Sequence, residues 1–416
     1  MIEQAVGLPQ QIEERLLDEL RIQDPEVRVR AGRASFGWLY LHVISTVFVD
    51  QGPAEREELI DAILAALDSG LSKYPLLDWR LQTPQEAEVT SGEPFQPIDI
   101  PLWSEILNAP EPAHPISVDQ MVTKRPLVVT FYSFKGGVGR STALVFVASL
   151  LATRGQRVVM IDFDLEAPGL SFMSSSEASK PTPYGVLDYL HQRSLTPNHS
   201  FLRIEECVHR LNVPTRGELY LVPAGDYARG YVYRLDDLDL RLFYLRERNP
   251  IHQLFDDIKA YLDPDVILVD ASTGFTEISA LALLDKADLG IICFSPTEQS
   301  FAGLQSVVEA ASKLRDYRGF PDLRFVLTPM PQVDPSQQKQ WITRTAAWIT
   351  EHWEMPPSVT AADLSYQIPY NPNITMLTNL FGELPASILK PYVPVADAIL
   401  ACLPQETVMK KFHQLG

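Results

Sequence analysis

The sequence is poor in cysteine and has no long apolar run. Its 416 residues contain three cysteines, Cys207, Cys293 and Cys402, and no two of them form a CxxC pair. This spacing argues against a disulfide framework or a structural zinc site and is typical of a reducing compartment. No apolar run approaches the roughly 18–20 residues of a membrane-spanning helix. The first residues lack the basic and apolar regions of a signal peptide. We therefore expect a cytoplasmic protein.

Positive charge is also scarce. The chain has 35 Lys plus Arg against 53 Asp plus Glu, a formal net charge of −18. Residues 1–125 carry 21 acidic and 10 basic side chains, so most of the excess lies in the first third of the chain. Such a balance disfavours a surface that binds nucleic acid or anionic lipid along its whole extent. A hydrophobic fraction of 46% is nevertheless ample for packed cores.

Prolines divide the chain. Seven of them fall between Pro94 and Pro126, where each restricts its own φ and its predecessor's backbone. We interpret 94–125 as a semi-rigid linker with one short helical turn around Trp103. It would separate a small α+β module, residues 1–93, from an α/β domain, residues 126–405. Residues 406–416 would form a C-terminal tail.

The second domain shows the pattern of a parallel sheet. Helical periodicities separate short apolar runs rich in β-branched residues, which are typical of buried strands. These runs cover 127–133, 157–164, 218–225, 265–272, 289–296 and 324–331. The alternation predicts βαβ units and a mostly parallel sheet with helices on both faces.

A glycine-rich segment follows the first of these strands. It reads Phe134-Lys-Gly-Gly-Val-Gly-Arg-Ser-Thr142 and leads into a predicted helix. Such a turn lets backbone N–H groups converge on an anion at the helix N-terminus. The ordinary phosphate-loop pattern, GxxxxGK[ST], is broken twice, by Phe134 at its first glycine and by Arg140 at its lysine.

The segment 135–142, KGGVGRST, resembles the deviant Walker A motif of the MinD/ParA group of ATPases, and more narrowly a bacterial branch with KGGVGR. The resemblance implies a P-loop NTPase fold that binds ATP and Mg²⁺. It also implies that Lys135 reaches across an ATP-bound homodimer to the partner's phosphates. Arg140 keeps the charge of the ordinary lysine as a planar fork, which preserves phosphate binding and puts the hydrolysis rate in question. The implied nucleotide contacts are Lys135, Gly136, Gly137, Val138, Gly139, Arg140, Ser141, Thr142, Gly274 and Tyr370.

Two further motifs lie at strand ends, where ligands bind in open α/β sheets. Asp162-Phe163-Asp164 is similar to the DxD of this group, and Asp270 to Gly274 is similar to its Walker B and switch II segment, DxxxG. The resemblance makes Ser141, Asp162 and Asp270 the Mg²⁺ residues. It makes Lys135, Asp164 and Arg140 catalytic, with Asp164 orienting water, and the Gly274 N–H a sensor of the γ-phosphate. Segments 328–331 and 367–372, which include Tyr370, would close over the base.

The N-terminal module has the predicted order helix, strand, strand, helix, strand over 11–90. With VISTVF at 43–48, AERE at 54–57 and TPQE at 83–86, it resembles BolA-like proteins, which are related to the KH fold. Glu57 and Pro75 stand where that family usually has histidines, so we expect no iron–sulfur cluster. The module lacks a GxxG loop and is acidic, which favours a protein partner over nucleic acid.

Our leading hypothesis is an ATP-dependent switch with slow or partner-stimulated hydrolysis. The KGGVGR resemblance suggests a bacterial signalling or defence system. One alternative is a spatial organiser on DNA or a membrane, disfavoured because the C-terminal stretch is broken by Pro404 and ends with only Lys410, Lys411 and His413 as cations. Another is a scaffold that binds nucleotide but barely hydrolyses it. A further alternative, an autophosphorylating tyrosine kinase, is disfavoured because the chain lacks the expected C-terminal cluster of tyrosines: its last tyrosine is Tyr392.

Overall fold

The computed structural model divides into two compact units. It describes residues 8–33, 39–65, 76–89, 101–109, 123–173, 184–195, 202–227, 230–244, 249–377, 380–382 and 384–404. One unit comprises the described residues within Met1–Ile100 and Asn108–Ala113, and the other those within Pro101–Leu107 and His114–Gly416. Most of the proline-rich linker and the predicted tail 406–416, with Lys410, Lys411 and His413, lie outside the described residues.

The first unit is a three-stranded sheet with helices. Its elements are α1 (Leu8–Leu20), β1 (Arg28–Arg33), β2 (Leu39–Ile44), α2 (Pro53–Leu64), β3 (Leu76–Gln82) and α3 (Pro84–Val89). The middle strand β2 pairs antiparallel with β1 and parallel with β3. Ile12, Leu16 and Leu20, spaced by four residues, bury one face of α1. The predicted order of the first five elements is therefore found.

The sequence interpretation missed α3, since we took TPQE to close the last strand. Thr83 and Glu86 instead form a capping box. The Thr83 N–H donates to Glu86 Oε2 at 2.8 Å and the Glu86 N–H donates to Thr83 Oγ1 at 3.2 Å. This reciprocal pair satisfies N–H groups that a helix start otherwise leaves unpaired.

The second unit is a doubly covered α/β sheet. Its strands are β4 (Leu127–Ser133), β5 (Arg157–Phe163), β6 (His209–Arg210), β7 (Glu218–Val222), β8 (Val266–Thr273), β9 (Leu289–Phe294), β10 (Asp322–Met330) and β11 (Ser365–Pro369). Its helices are α4 (Trp103–Asn108), of which residues up to 107 belong to this unit, α5 (Arg140–Thr153), α6 (Leu170–Met173), α7 (Val186–Leu195), α8 (Tyr231–Asp236), α9 (Leu240–Tyr244), α10 (Pro250–Leu262), α11 (Glu277–Ala280), α12 (Glu298–Arg318), α13 (Pro335–His352), α14 (Ala386–Leu389) and α15 (Val393–Ala401). A π-helical stretch, Leu281–Lys286, continues α11.

Strand order brings the sequence motifs together. The sheet runs β11-β10-β9-β4-β8-β5-β7-β6, and only β6 pairs antiparallel. This confirms the predicted mostly parallel α/β fold. Every residue of β4 is buried, as expected for a strand covered on both faces. Because β4, β8 and β5 are neighbours and parallel, their carboxyl ends carry the glycine-rich loop, Asp270 and the DxD motif to one edge. Asp162 and Asp270 are direct register partners.

The helical turn predicted in the linker exists, but it is not part of a free spacer. It forms α4, and Leu102, Trp103 and Ile106 around it are buried. The residues 101–107 belong to the second unit, which they join ahead of its first strand. The described part of the chain contains no helix of the length and apolar character needed to cross a bilayer.

Candidate phosphate-binding site

The glycine-rich loop connects β4 to α5 and is open to solvent. Gly137 and Gly139 have φ of +77° and +78°, a backbone region that glycine enters without steric cost. Lys135, Gly136 and Gly137 are exposed. The 14-residue helix α5 begins at Arg140, directly after the loop. The loop therefore presents backbone N–H groups at a helix N-terminus, which favours an anion such as phosphate.

Phe134 occupies the position of the first glycine because another glycine makes room for it. A Cβ atom added to Gly303 of α12 would lie 2.2 Å from the Phe134 ring, so the ring packs directly on the helix backbone. On its other side, the Phe134 ring lies 5.3 Å from that of Phe275, next to Gly274. The departure from the ordinary motif thus fixes the loop through packing.

Three carboxylates are buried at the neighbouring strand ends. Asp162 and Asp270 are 0% exposed and Asp164 is 5% exposed. Asp162 Oδ2 accepts hydrogen bonds from the Ser171 N–H at 2.9 Å and from the Ser171 hydroxyl at 2.8 Å. Burial, together with the nearby charge of Asp270, raises the pKa of Asp162 to about 7. Burial also raises the pKa of Asp270, although Arg140 opposes this shift. The site concentrates negative charge away from water.

Arg140 compensates part of this charge. Its Nε donates to Asp270 Oδ1 at 2.6 Å and its Nη2 donates to Asp164 Oδ2 at 2.8 Å. Burial alone would lower the pKa of Arg140, but the two carboxylates outweigh burial and raise it. From its place in the motif, we expected this side chain to act on phosphates as the ordinary lysine does. In the structure it lies against the carboxylates, because two buried anions attract a planar fork that can bond both.

The residues present fit a magnesium ion. Asp162 Oδ1 and Asp270 Oδ2 are buried and accept no hydrogen bond from the described residues. The Ser141 hydroxyl, at the start of α5, lies beside the Asp270 carboxyl, where it opposes the effect of burial on the Asp270 pKa, and it adds a third hard oxygen. Among the described residues, no group of three or more His, Cys, Asp or Glu side chains could hold a metal by itself. Mg²⁺ is usually held by one or two carboxylates together with substrate phosphates, which matches this donor set.

The other predicted site residues lie around the same edge. The Lys135 ammonium is exposed and donates to Gln299 Oε1 at 3.1 Å. Val138 is buried and Thr142 is half-buried. Tyr370 is 46% exposed and follows β11, three strands away from the loop-bearing β4. The structure thus gathers Ser141, Arg140 and the carboxylates, and leaves Tyr370 farther along the sheet. The individual roles of these residues stay predictions.

Gly274 shows a detail that the motif does not encode. Its N–H, the group that the resemblance makes a γ-phosphate sensor, donates to the Ser133 carbonyl at 3.3 Å. Its carbonyl oxygen lies 3.1 Å from the Tyr132 hydroxyl and 2.7 Å from that of Ser279. Both the N–H and the carbonyl oxygen of Gly274, the last residue of the switch II segment, are therefore hydrogen-bonded within the protein.

Comparison with known proteins finds similarity over the part of the chain that contains this site. A family described as an AAA domain matches residues 127–320. The septum site-determining protein MinD of Escherichia coli is 29% identical over 176 residues, which are 42% of this chain and 54% of that protein. An ATP-binding protein of Methanocaldococcus jannaschii is 26% identical over 162 residues, 38% of this chain and 51% of that protein. Residues 127–320 are thus similar to the P-loop ATPases of the MinD/ParA group. The chain spans about half the length of the curated relatives it matches.

Solved structures are also similar to part of this chain. A plasmid partition protein of Borrelia burgdorferi has a TM-score of 0.44 and 18% identity, covering 67% of this chain and 99% of that one. MinD of Pyrococcus horikoshii, complexed with Mg-ADP, has a TM-score of 0.44 and 17% identity, covering 66% of this chain and 95% of that one.

The sequence analysis did not identify two residues that lie around the candidate phosphate-binding site. One is Gly303, whose role depends on a contact with Phe134 across the fold. The other is Trp103, which lies outside the matched residues 127–320. Its only signal in the sequence is a tryptophan followed by apolar residues within a proline-rich segment. That signal predicts a packed turn but not what the turn packs against.

Proposed function

We propose that the chain is an ATP-binding, Mg²⁺-dependent nucleotide switch that dimerises with ATP held between the two subunits and signals its state to a partner protein. One observation carries the proposal: an open glycine-rich loop at a helix N-terminus stands beside three buried carboxylates, two of which keep an oxygen without a hydrogen-bond partner among the described residues. A site of this composition suits a phosphate with a divalent cation and few other ligands.

Each residue has a role in this proposal. The loop N–H groups bind the phosphates, and Ser141, Asp162 and Asp270 hold Mg²⁺. The bound ion would neutralise phosphate charge and orient the transferred group. Asp164 orients water. Lys135 is exposed, and the hydrogen bond that it donates to Gln299 is exposed too, so its side chain is available to reach a second subunit. Tyr370 would border the base.

The partner would be a protein, bound through the N-terminal module. This part rests on charge, because residues 1–125 hold 21 acidic and 10 basic side chains. A surface of this sign favours a basic protein patch and disfavours DNA or anionic lipid. A bacterial signalling or defence system is the setting that the KGGVGR motif suggests.

A nucleotide-dependent scaffold with little turnover is the second candidate, and Arg140 favours it. The Arg140 guanidinium bonds Asp164, the carboxylate that would orient water, at 2.8 Å. While this pair persists, Asp164 has one oxygen fewer for a water molecule. Slow hydrolysis is the expected consequence, and release of the pair would be the step that a partner could accelerate.

The test measures how the mass of the protein in solution and its rate of phosphate release depend on the nucleotide. Wild type and Lys135→Ala are sized by light scattering with Mg²⁺ and ADP, ATP or a slowly hydrolysed ATP analogue, and phosphate release is followed in parallel. We expect wild type to double in mass with ATP and the analogue, and Lys135→Ala to stay monomeric while it still binds nucleotide. Lys339→Ala is the matched control, because Lys339 is an exposed lysine on α13.

The outcomes separate the candidates. If wild type binds no nucleotide, or its mass does not respond to ATP, the switch proposal fails. Dimerisation without phosphate release over hours supports the scaffold. Sedimentation with DNA or with anionic vesicles at about 0.15 M salt tests the spatial organiser, since binding of that kind weakens steeply with added salt.

A further inference from the structure

The linker helix α4 is docked on the residues that directly follow the switch II segment, 275–279, and Trp103 makes the contact. The Trp103 indole N–H donates to the Thr276 carbonyl at 3.0 Å and to the Ser279 hydroxyl at 3.1 Å. Thr276 caps α11, the helix that follows switch II, by accepting the Ser279 N–H. Trp103 is 5% exposed, so these bonds are shielded from water.

Ser279 extends this contact to Gly274. The Ser279 hydroxyl lies 2.7 Å from the Gly274 carbonyl oxygen and 2.8 Å from that of Thr276. The hydroxyl is thus placed between the indole and Gly274. The carbonyl oxygen of Gly274 is fixed by this contact and by the Tyr132 hydroxyl, and its N–H is fixed by the bond to the Ser133 carbonyl.

Aromatic packing reinforces the hydrogen bonds. The Trp103 ring lies 5.6 Å from Tyr132 and 5.3 Å from Phe275, and Phe275 in turn lies 5.3 Å from Phe134. We call these four residues the aromatic cluster. It joins the linker, the end of β4, the start of the phosphate loop and switch II. Ring contacts of this kind stabilise a packed cluster beyond the burial of its apolar area.

Two polar contacts hold α4 in place beside the cluster. Arg241 pairs with Glu277, the first residue of α11, at 2.8 Å and reaches Glu105 of α4 at 3.4 Å. The Lys313 ammonium donates to the Leu107 carbonyl at 2.8 Å. The linker segment 101–107 is therefore tied to the domain at three successive points.

We propose that Trp103 is a positioning residue that sets how readily switch II responds to a γ-phosphate. This inference rests on the proposed nucleotide function. In the structure the Gly274 N–H is bonded to the Ser133 carbonyl, and Trp103 acts through Ser279 on the carbonyl oxygen of the same residue. To bind a γ-phosphate, the Gly274 N–H must leave Ser133, and the bonds from Trp103 and Ser279 oppose that movement. Trp103 thus lowers the preference for a nucleoside triphosphate over a diphosphate.

The expected change in the preference for a triphosphate over a diphosphate follows from the loss of one buried hydrogen-bonding group. Loss of a typical hydrogen bond changes an equilibrium by about 0.5–1.5 kcal/mol, which is a factor of roughly 2–13. Trp103→Phe keeps an aromatic ring and removes the N–H. Ser279→Ala removes the hydroxyl between Trp103 and Gly274, and it leaves Gly274 with the Tyr132 hydroxyl and Trp103 with the Thr276 carbonyl. Both variants should shift the preference in the same direction.

The experiment measures equilibrium affinities for Mg-ADP and for the Mg complex of the non-hydrolysable imido analogue of ATP. We expect the affinity for the analogue relative to ADP to rise about 3–10-fold in Trp103→Phe and in Ser279→Ala. Trp341→Phe, at a half-buried tryptophan of α13, is the matched control and should leave the ratio unchanged. Amide hydrogen exchange of nucleotide-free protein gives a second readout, and residues 273–279 should exchange faster in both variants than in wild type.

The possible results separate the inference from the function on which it rests. If wild type binds neither nucleotide, the proposed function fails and the inference fails with it. If wild type binds both, an equal change for the two nucleotides in Trp103→Phe reduces Trp103 to a structural residue and overturns the inference. A ratio that moves toward ADP overturns it as well, since Trp103 would then support the γ-phosphate-bound form.

Discussion

The ionised Asp162 carboxylate should lower the free energy of unfolding of the nucleotide-free protein at neutral pH, and replacing Asp162 with asparagine should raise it again. Burial and the neighbouring charge of Asp270 raise the pKa of Asp162 from 3.8 to about 7. A group with a raised pKa stabilises the fold below its unfolded pKa, and this contribution is lost as pH rises to the folded value. Each pKa unit corresponds to about 1.36 kcal/mol, so the cost near pH 8 is up to about 4 kcal/mol.

Asp162→Asn has nearly the same shape and can still accept hydrogen bonds from Ser171. Near pH 5 only part of the cost is present, because the Asp162 carboxyl is still largely protonated in the folded protein. The increase in the free energy of unfolding that Asp162→Asn produces should therefore be about 3 kcal/mol larger near pH 8 than near pH 5. Urea unfolding of metal-free and nucleotide-free protein at the two pH values measures it. The same variant should lose affinity for Mg-ADP, since it loses a charged oxygen for the ion.

Asp285→Asn is a control of opposite sign. Asp285 is also buried, but its pKa is lowered to about 2, because the hydrogen bond from His252 and the charge of Lys286 outweigh the effect of burial. A lowered pKa stabilises the fold at every pH above the unfolded value, so Asp285→Asn should destabilise at both pH values. A gain for Asp162→Asn that is the same near pH 5 and pH 8, or a loss at pH 8, would refute this account of the carboxylates.

Three further outcomes follow from the site. Gly303→Ala should destabilise by about 1–3 kcal/mol in thermal unfolding through its clash with Phe134, and the same substitution should cost much less when it is made in a Phe134→Ala background. Arg140→Lys should lose about 1–3 kcal/mol in urea unfolding, because one ammonium cannot bond both carboxylates, and should hydrolyse ATP faster in a single turnover because Asp164 is released. Lys135→Ala should unfold within about 0.5 kcal/mol of wild type, since the side chain is exposed. A slower single turnover in Arg140→Lys would contradict the proposed restraint on Asp164.

The fold of the second unit was largely predictable because its central strands are almost completely buried. A run such as 127–133, apolar on both faces, leaves few alternatives to a central parallel strand. The phosphate loop and the strand-end carboxylates were predictable for a related reason, since their function depends on positions along the chain that the topology brings together. The range that is similar to known proteins, 127–320, contains these residues.

What the sequence did not predict depends on pairs far apart in the chain. The direction of Arg140 follows from the joint burial of Asp164 and Asp270, and the charge pattern of the loop alone suggests phosphates instead. The fit of Phe134 requires Gly303 on a different helix. The helix α3 was missed for a local reason, because the Thr83–Glu86 capping box also reads as a turn that ends a strand.

The docked segment 101–107 bears on how such a domain can be exchanged between proteins. Its tryptophan lies before β4, yet it completes the packing of switch II. A recombination event that joined a new front module directly to β4 would separate the domain from a residue that tunes it. The exchangeable unit therefore begins at Pro101 or earlier. Replacing the front module while keeping residues 101–107 would preserve the proposed effect of Trp103 on the response to the γ-phosphate.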